Sequence, residues 1–339
     1  MQQVTTVGLD LAKNLFQVHG ADAQGRPVLK RRLAREKVLE FFANLPACLV
    51  GLEACAAAHH WARELAKLGH EVRLTPPQYV RPYVKTNKHD AADAEACCEA
   101  VTRPGMRFVP VKGEEQQSLL MLHRVREQLL KQRTATANAL RAHLAEFGIV
   151  AAQRRTGLRA LLAVVADQEG RRLPPLAREL LQVLADHLRV LEERTAALDR
   201  RLVETARADA ACARLAGVPG IGPVIATALV AAVADAKTFG SGRRLAAWLG
   251  LVPRQHSSGG KERLLGISKR GDAYLRRQLM HGARALVAVS KGREGGSWSW
   301  INGLPARRPF NVVVAAVANK LARVAWALLS RGEDYRAAA

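Results

Sequence analysis

Leu180, Leu184, Leu188, Leu191, Leu198 and Leu202 recur at near-heptad spacing, and Leu119, Leu122, Val125, Leu129 and Leu130 repeat with the same helical period. Only helices many turns long place such a series on one face. Gly170 and Pro174-Pro175 lie between the two runs, so a helical hairpin or coiled coil is expected over residues 111–208. Its expected work is dimerisation or spacing. The chain on either side of it must then supply the remaining cores.

The first part, residues 1–110, reads differently. VTTVGLD (4–10) is a β-branched run ending in an acid, Leu15–His19 follows a short turn, and Val28–Leu33 completes a meander. Helical spacing then covers Arg35–Asn44, a strand Cys48–Glu53, a helix Ala56–Leu68 stopped by Gly69, and a strand Glu71–Leu74 closed by Thr75-Pro76-Pro77. This order predicts an α/β domain with a mixed sheet. The last part, residues 209–339, is expected to be mainly helical, with amphipathic helices over Ala273–Ser290 and Asn311–Ser330.

Charge narrows the partner. Lysine and arginine number 52 against 30 aspartates and glutamates, a net charge of +22 over 339 residues. A field of that sign attracts polyanions, of which nucleic acid is the commonest. No lipidation signal or isolated basic amphipathic tail favours a membrane surface, and the start of the chain lacks a signal-peptide pattern. Val224–Ala234, the longest apolar run, is too short to span a bilayer. The cysteines (Cys48, Cys55, Cys97, Cys98, Cys212) have no CxxC spacing, which argues against a disulfide framework or zinc site and for a reducing cytoplasm.

Against that basic background, four acids stand out. Asp10 and Glu53 end two different strands, the usual edge for a site in an open α/β sheet. Asp90 and Asp93, in KHDAADAEACCEAV, share one face of a helix. Singly, each has an ordinary reading: a cap, a solvated helix residue, a paired surface charge. Jointly they suggest a pocket for a divalent cation, magnesium (Mg2+) or manganese (Mn2+), held against a phosphate. The preceding segment carries Arg81, Lys85 and Lys88 with Tyr79 and Tyr83, suited to a nucleic-acid backbone.

Two further stretches are candidates. GVPGIGP, with Gly220 and Gly222 before an Ala-rich helix, resembles a helix-hairpin-helix turn whose amides face phosphate; the plain alternative is a tight turn. PRQHSSGGKERLLGISKRGD is read as a loop rich in Gly, Ser and basic residues. His256 is a possible acid/base group or phosphate contact, and Arg254, Lys261, Arg263, Lys269 and Arg270 could surround a transferring phosphoryl group. From the residues alone, its serines more simply fill turns.

GLDLAKNLFQVHG, GLEACAAAHHWA and NKHDAADAEA, together with GVPGIGPVIATALV, RRLAAWLGLVPRQHSSGG and GISKRGDAYLRRQL, resemble the insertion-sequence 110 family of DEDD transposases, its 1111-type subgroup above all. The resemblance covers nearly the whole chain. It implies a RuvC-like (ribonuclease-H-like) first domain and a C-terminal transposase domain. It implies that Asp10, Glu53, Asp90 and Asp93 hold the metal. Ser258 would be the nucleophile that forms a transient phosphoserine link, with Ser257 beside it as a competing hydroxyl. It also implies donor and target DNA, a structured non-coding bridge RNA that reads sequence by pairing, and a homo-oligomer of dimers joined into a tetramer. The composite site would join the metal module of one protomer to the C-terminal module of another, in the bacterial cytoplasm at the nucleoid. Two competing functions are a metal-dependent nuclease of the Holliday-junction resolvase type, with Ser258 structural, and a non-catalytic nucleic-acid-binding protein.

Overall fold

In the computed structural model, which describes residues 3–85, 89–170 and 172–336, the strand-forming runs build one mixed sheet. β1 (Thr6–Asp10) pairs antiparallel with β2 (Leu15–Ala21), which pairs antiparallel with β3 (Pro27–Ala34). After α1 (Val38–Ala43) comes β4 (Leu49–Glu53), parallel to β1. Beyond α2 (Ala58–Lys67), β5 (Glu71–Thr75) joins parallel to β4, giving the order β3-β2-β1-β4-β5. A short helix α3 (Pro77–Val80) leads to α4 (Asp90–Val101). Val7, Leu9, Phe16, Val50, Leu52 and Leu74 point into a core closed by Phe42, Trp61 and Leu65. Residues 1–115 form one compact unit and residues 116–339 a second.

The second unit is almost wholly helical. α5 (Glu114–Ala145), α6 (Arg155–Ala166) and α7 (Pro175–Ala208) follow in order. α5 and α7 pack antiparallel: Arg126 pairs with Asp199, while Leu140 and Leu144 share a core with Leu181 and Leu188. The expected hairpin therefore holds a third helix, α6, whose Leu161 and Val165 join that core.

The buried faces follow the expected stripes except at Leu180 and Val125: Leu188, Leu191 and Leu202 are buried as expected. On α7, Leu181, Leu188, Thr195 and Leu202 turn inward at seven-residue intervals, whereas Leu180 is 59% exposed. On α5, Val125 faces solvent and His123 is buried instead, because its ring Nδ1 finds the Tyr274 hydroxyl at 2.9 Å. A polar side chain with a partner can take a position that spacing alone would give to an aliphatic one.

α8 (Ala210–Ala216), α9 (Pro223–Val233), α10 (Gly242–Trp248), β6 (Pro253–Gln255), β7 (Leu264–Ile267), α11 (Ala273–Val289), α12 (Gly296–Gly303) and α13 (Phe310–Arg331) complete the unit. α13 is long and apolar enough to cross a membrane, yet it is a core helix here. Its Val313, Val317, Leu321 and Ala325 pack with Leu229, Leu245, Leu279 and Leu286.

Candidate functional site

The acidic site starts from two glycines. Gly8 of β1 and Gly51 of β4 are register partners on neighbouring parallel strands. Without side chains they leave a flat seat for α4. A Cβ on Gly8 would fall 2.0 Å from the Ala94 carbonyl, and one on Gly51 would fall 2.8 Å from that of Cys97. The small residues of α4, Ala94, Cys97 and Cys98, complete this close approach. α4 runs against β1, with Cys98 beside Thr6 and Ala94 beside Gly8. Its first turn, carrying Asp90 and Asp93, therefore arrives at the strand end occupied by Asp10.

Oxygens of Asp10, Asp90 and Asp93 lie within 4.8 Å of one another. Glu53 ends β4, one step past the Leu9–Leu52 pair, and its charge also acts on Asp10. Burial above all, then the charges of Asp93, Asp90 and Glu53, push the Asp10 carboxyl up to about 6. Among the described residues, no lysine or arginine is salt-bridged to Asp10, Asp90 or Asp93. Crowded carboxylates of this kind could hold a hard divalent cation, which would remove their mutual repulsion.

Thiols nearby do not compete for chemistry. Burial, followed by the charges of Glu53 and Asp10, drives the Cys97 thiol upward, and the same causes raise Cys55. Both thus disfavour the thiolate that a nucleophile needs. Lys85 does not stand free: it bridges to Glu95 at 2.8 Å and Glu99 at 3.7 Å, fastening the preceding segment to α4. Arg81 is exposed, Tyr83 packs beside Val80 and Ala100, and Lys88 lies outside the described residues.

In the second unit, the stretch read as a loop is a β-hairpin. β6 and β7 pair antiparallel, and Ser258-Gly259-Gly260-Lys261 makes the reversal, with the Lys261 N–H donating to the Ser258 carbonyl at 3.1 Å. Gly259 and Gly260 have φ of 55° and 74°, the left-handed pair that a two-residue hairpin turn requires. Arg254, His256, Ser258, Lys261 and Arg263 are all exposed on this hairpin. The two serines differ. Ser257 Oγ accepts from the Arg263 N–H at 3.2 Å, whereas Ser258 opens the turn.

The base of the hairpin is tightly interlocked. Lys269 adopts φ 55° and donates its N–H to the Gly250 carbonyl, while Ser268 donates to that of Val252. A Cβ on Gly250 would fall 2.1 Å from the Arg270 carbonyl, and one on Gly271 would fall 1.8 Å from that of Trp248. Arg276 Nη1 clamps both sides, donating to Leu249 O at 3.0 Å and Arg270 O at 2.9 Å. None of Gly250, Gly271 and Arg276 is singled out by spacing, because each is needed only for a contact between distant segments.

The GVPGIGP turn separates its two candidate glycines, Gly220 and Gly222. Gly220 (φ 85°) is packed so closely on α11 that a Cβ would meet Leu286 at 2.9 Å and the Gly282 carbonyl at 3.2 Å. Gly222 is exposed in open space at the N-terminus of α9. Of the pair, only Gly222 sits where an anion could approach.

An acidic cluster on a mixed α/β sheet, a basic serine hairpin on a helical unit and a large positive charge fit the class of enzymes that act on nucleic acid. Comparison with known proteins gives the family. Residues 7–149 match the DEDD transposase family of the IS110 type, and residues 212–295 match the family described as "Transposase IS116/IS110/IS902 family". The chain is 53% identical over 98% of its length, and 99% of the relative's, to a Pseudomonas aeruginosa protein described as a "Probable family 20 transposase". It is 42% identical, over 99% of both chains, to the transposase for insertion sequence element IS1328 of Yersinia enterocolitica. To the transposase for IS1111A of Coxiella burnetii it is 40% identical over its full length and 93% of that protein. The chain belongs to the IS110/IS116 transposase family.

Proposed function

We propose that this transposase moves its insertion sequence by covalent serine chemistry assisted by the acidic set. One observation carries the reading: Ser258 stands exposed at the start of a Gly-Gly turn, among Arg254, His256, Lys261 and Arg263. In the proposed step, Ser258 Oγ attacks a DNA phosphorus. A serine–phosphate bond forms, the bond to the 3′ oxygen breaks, and the hydroxyl proton, passed through His256, ends on that oxygen. A second strand's 3′-hydroxyl reverses the exchange, so the number of phosphodiester-type bonds is conserved. The hairpin's cations neutralise the charge that builds on the phosphoryl oxygens.

Asp10, Glu53, Asp90 and Asp93 would hold Mg2+ or Mn2+, which supplies Lewis acidity at the phosphate when bound. The mixed sheet with its strand-end acids supports a RuvC-like reading of the first unit. The α5–α7 pair is proposed to join protomers as a coiled coil, as dimers and then a tetramer, so that both chemistries reach one phosphate. A bridge RNA is proposed to choose donor and target by pairing, with the protein gripping backbone at the nucleoid in the cytoplasm.

The test is trapping on a nicked donor-end DNA with the purified full chain and Mg2+. A protein–DNA adduct that Ser258→Ala abolishes and Ser257→Ala preserves is expected. Cut ends bearing free 3′-hydroxyls with no adduct would instead assign water as the nucleophile, as in a resolvase-type nuclease.

A further inference from the structure

Beside the GVPGIGP turn lies an aromatic cavity that neither the acidic set nor the serine hairpin uses. It measures about 360 Å³; Trp298, Trp300, Tyr335 and Pro219 of the turn line it together with aliphatic core residues such as Leu286 and Leu321, and Lys320 and Glu294 are its charged lining. α12 brings the two indoles together within the short GSWSWING segment. Cations already lie on their faces: Lys320 Nζ is 4.3 Å from the Trp300 ring centroid and the Arg293 guanidinium is 4.8 Å from that of Trp298. Trp300 remains 38% exposed.

We infer that this cavity binds an unpaired nucleobase of a single-stranded segment of the nucleic acid the transposase handles. The volume lies at the small end of the range for ligand pockets and admits a base. Indole and phenol rings offer flat stacking surfaces that accept any base, and flanking cations attract the phosphates on either side. The +22 charge of the chain makes a polyanion the complementary occupant. Exposed Gly222, three residues past Pro219, opens a helix N-terminus to one of those phosphates. Glu294 repels phosphate but accepts hydrogen bonds from exocyclic amino groups, so the base enters and adenine, cytosine and guanine are preferred to thymine or uracil.

The experiment measures affinity of the full chain for a short labelled single strand, as DNA in one arm and RNA in another, with duplex DNA of the same sequence as control. Trp300→Ala and Trp298→Ala should weaken single-strand binding roughly 5- to 100-fold, the effect of one lost stacking contact, and leave duplex affinity within about twofold. Trp300→Phe should keep most of the affinity. The arm that loses more identifies the source as DNA or RNA. Equal losses for single strand and duplex, or no loss in either single-strand arm, would overturn the inference. Ultraviolet crosslinking of the unmodified protein to the same single strands provides a measurement independent of variant folding. Peptide mapping should place adducts at Trp298 or Trp300, and adducts confined to other segments would refute the site.

Discussion

Gly8 and Gly51 face one another across the β1–β4 pair, and their missing side chains set how closely α4 can approach the sheet. The acidic cluster depends on that approach, since Asp90 and Asp93 ride on the first turn of α4 while Asp10 is fixed to β1.

Gly8→Ala should therefore damage stability and metal binding together. Its Cβ would sit 2.0 Å from the Ala94 carbonyl and 2.4 Å from the Cys98 amide, both backbone atoms that move only with the helix. Overpacking of this kind costs about 1–3 kcal/mol. Urea unfolding should show that loss, and calorimetric titration should show weaker Mg2+ binding. Gly51→Ala, facing Val101 Cβ at 2.7 Å, should act in the same direction. Unchanged Mg2+ affinity in a destabilised Gly8→Ala protein would uncouple the seat from the site.

Asp10 predicts a pH signature. Its carboxyl titrates at about 6 in the folded chain against an ordinary 3.8, so the folded state holds the proton more tightly. The associated stability is present below about pH 4 and is lost as pH rises through about 6. Metal-free Asp10→Asn should melt above the wild type at about pH 7.5, with the gap closing near pH 4. Mg2+ should raise the wild-type melting temperature at neutral pH and have little effect on the variant. A constant gap across that range would refute the assignment.

Arg276 should matter to strand exchange more than to DNA affinity. Its two hydrogen bonds tie Leu249 to Arg270 at the root of the serine hairpin. Arg276→Ala leaves the part-buried Leu249 carbonyl without that donor, a loss of about 1 kcal/mol, while water can replace it at the exposed Arg270 carbonyl. Adduct formation should slow with little change in the concentration of DNA needed for half-saturation. Arg276→Lys, which can reach one carbonyl at a time, should recover part of the rate. A variant that forms adduct at the wild-type rate would show that the hairpin root holds without it.

The acidic set was legible because its members end β-branched runs or share a helix face, and these are local patterns. The seat that assembles them was not, since Gly8 and Gly51 matter only through a helix that begins some forty residues beyond Gly51. The heptad of α7 was legible in period and in most of its register, since Leu188, Leu191 and Leu202 are buried; the exception is Leu180, which is exposed while its neighbour Leu181 turns inward. The serine hairpin has an all-exposed first strand, Pro253–Gln255, with no apolar alternation to reveal it. Its one local signal is Gly259-Gly260, the residue pair that a tight reversal favours.

His123 gives the second unit a pH response opposite to that of Asp10. The ring is buried on α5, its Nδ1 is hydrogen-bonded to the Tyr274 hydroxyl at 2.9 Å, and the charge of Arg126 acts on both groups. Burial first, then the charge of Arg126, holds His123 down to about 4 from an ordinary 6.5. The unfolded chain therefore binds the proton more readily, and stability drains away as pH falls from about 6.5 through about 4. His123→Gln carries no titrating group, so its melting temperature should fall less steeply than the wild type's over that interval. Because the two residues belong to different units, the contrast can be read in one protein. Tryptophan fluorescence from Trp326 with the other indoles replaced by Phe would follow the second unit alone. Parallel curves for wild type and His123→Gln would show that folding does not hold the His123 proton affinity below that of the unfolded chain.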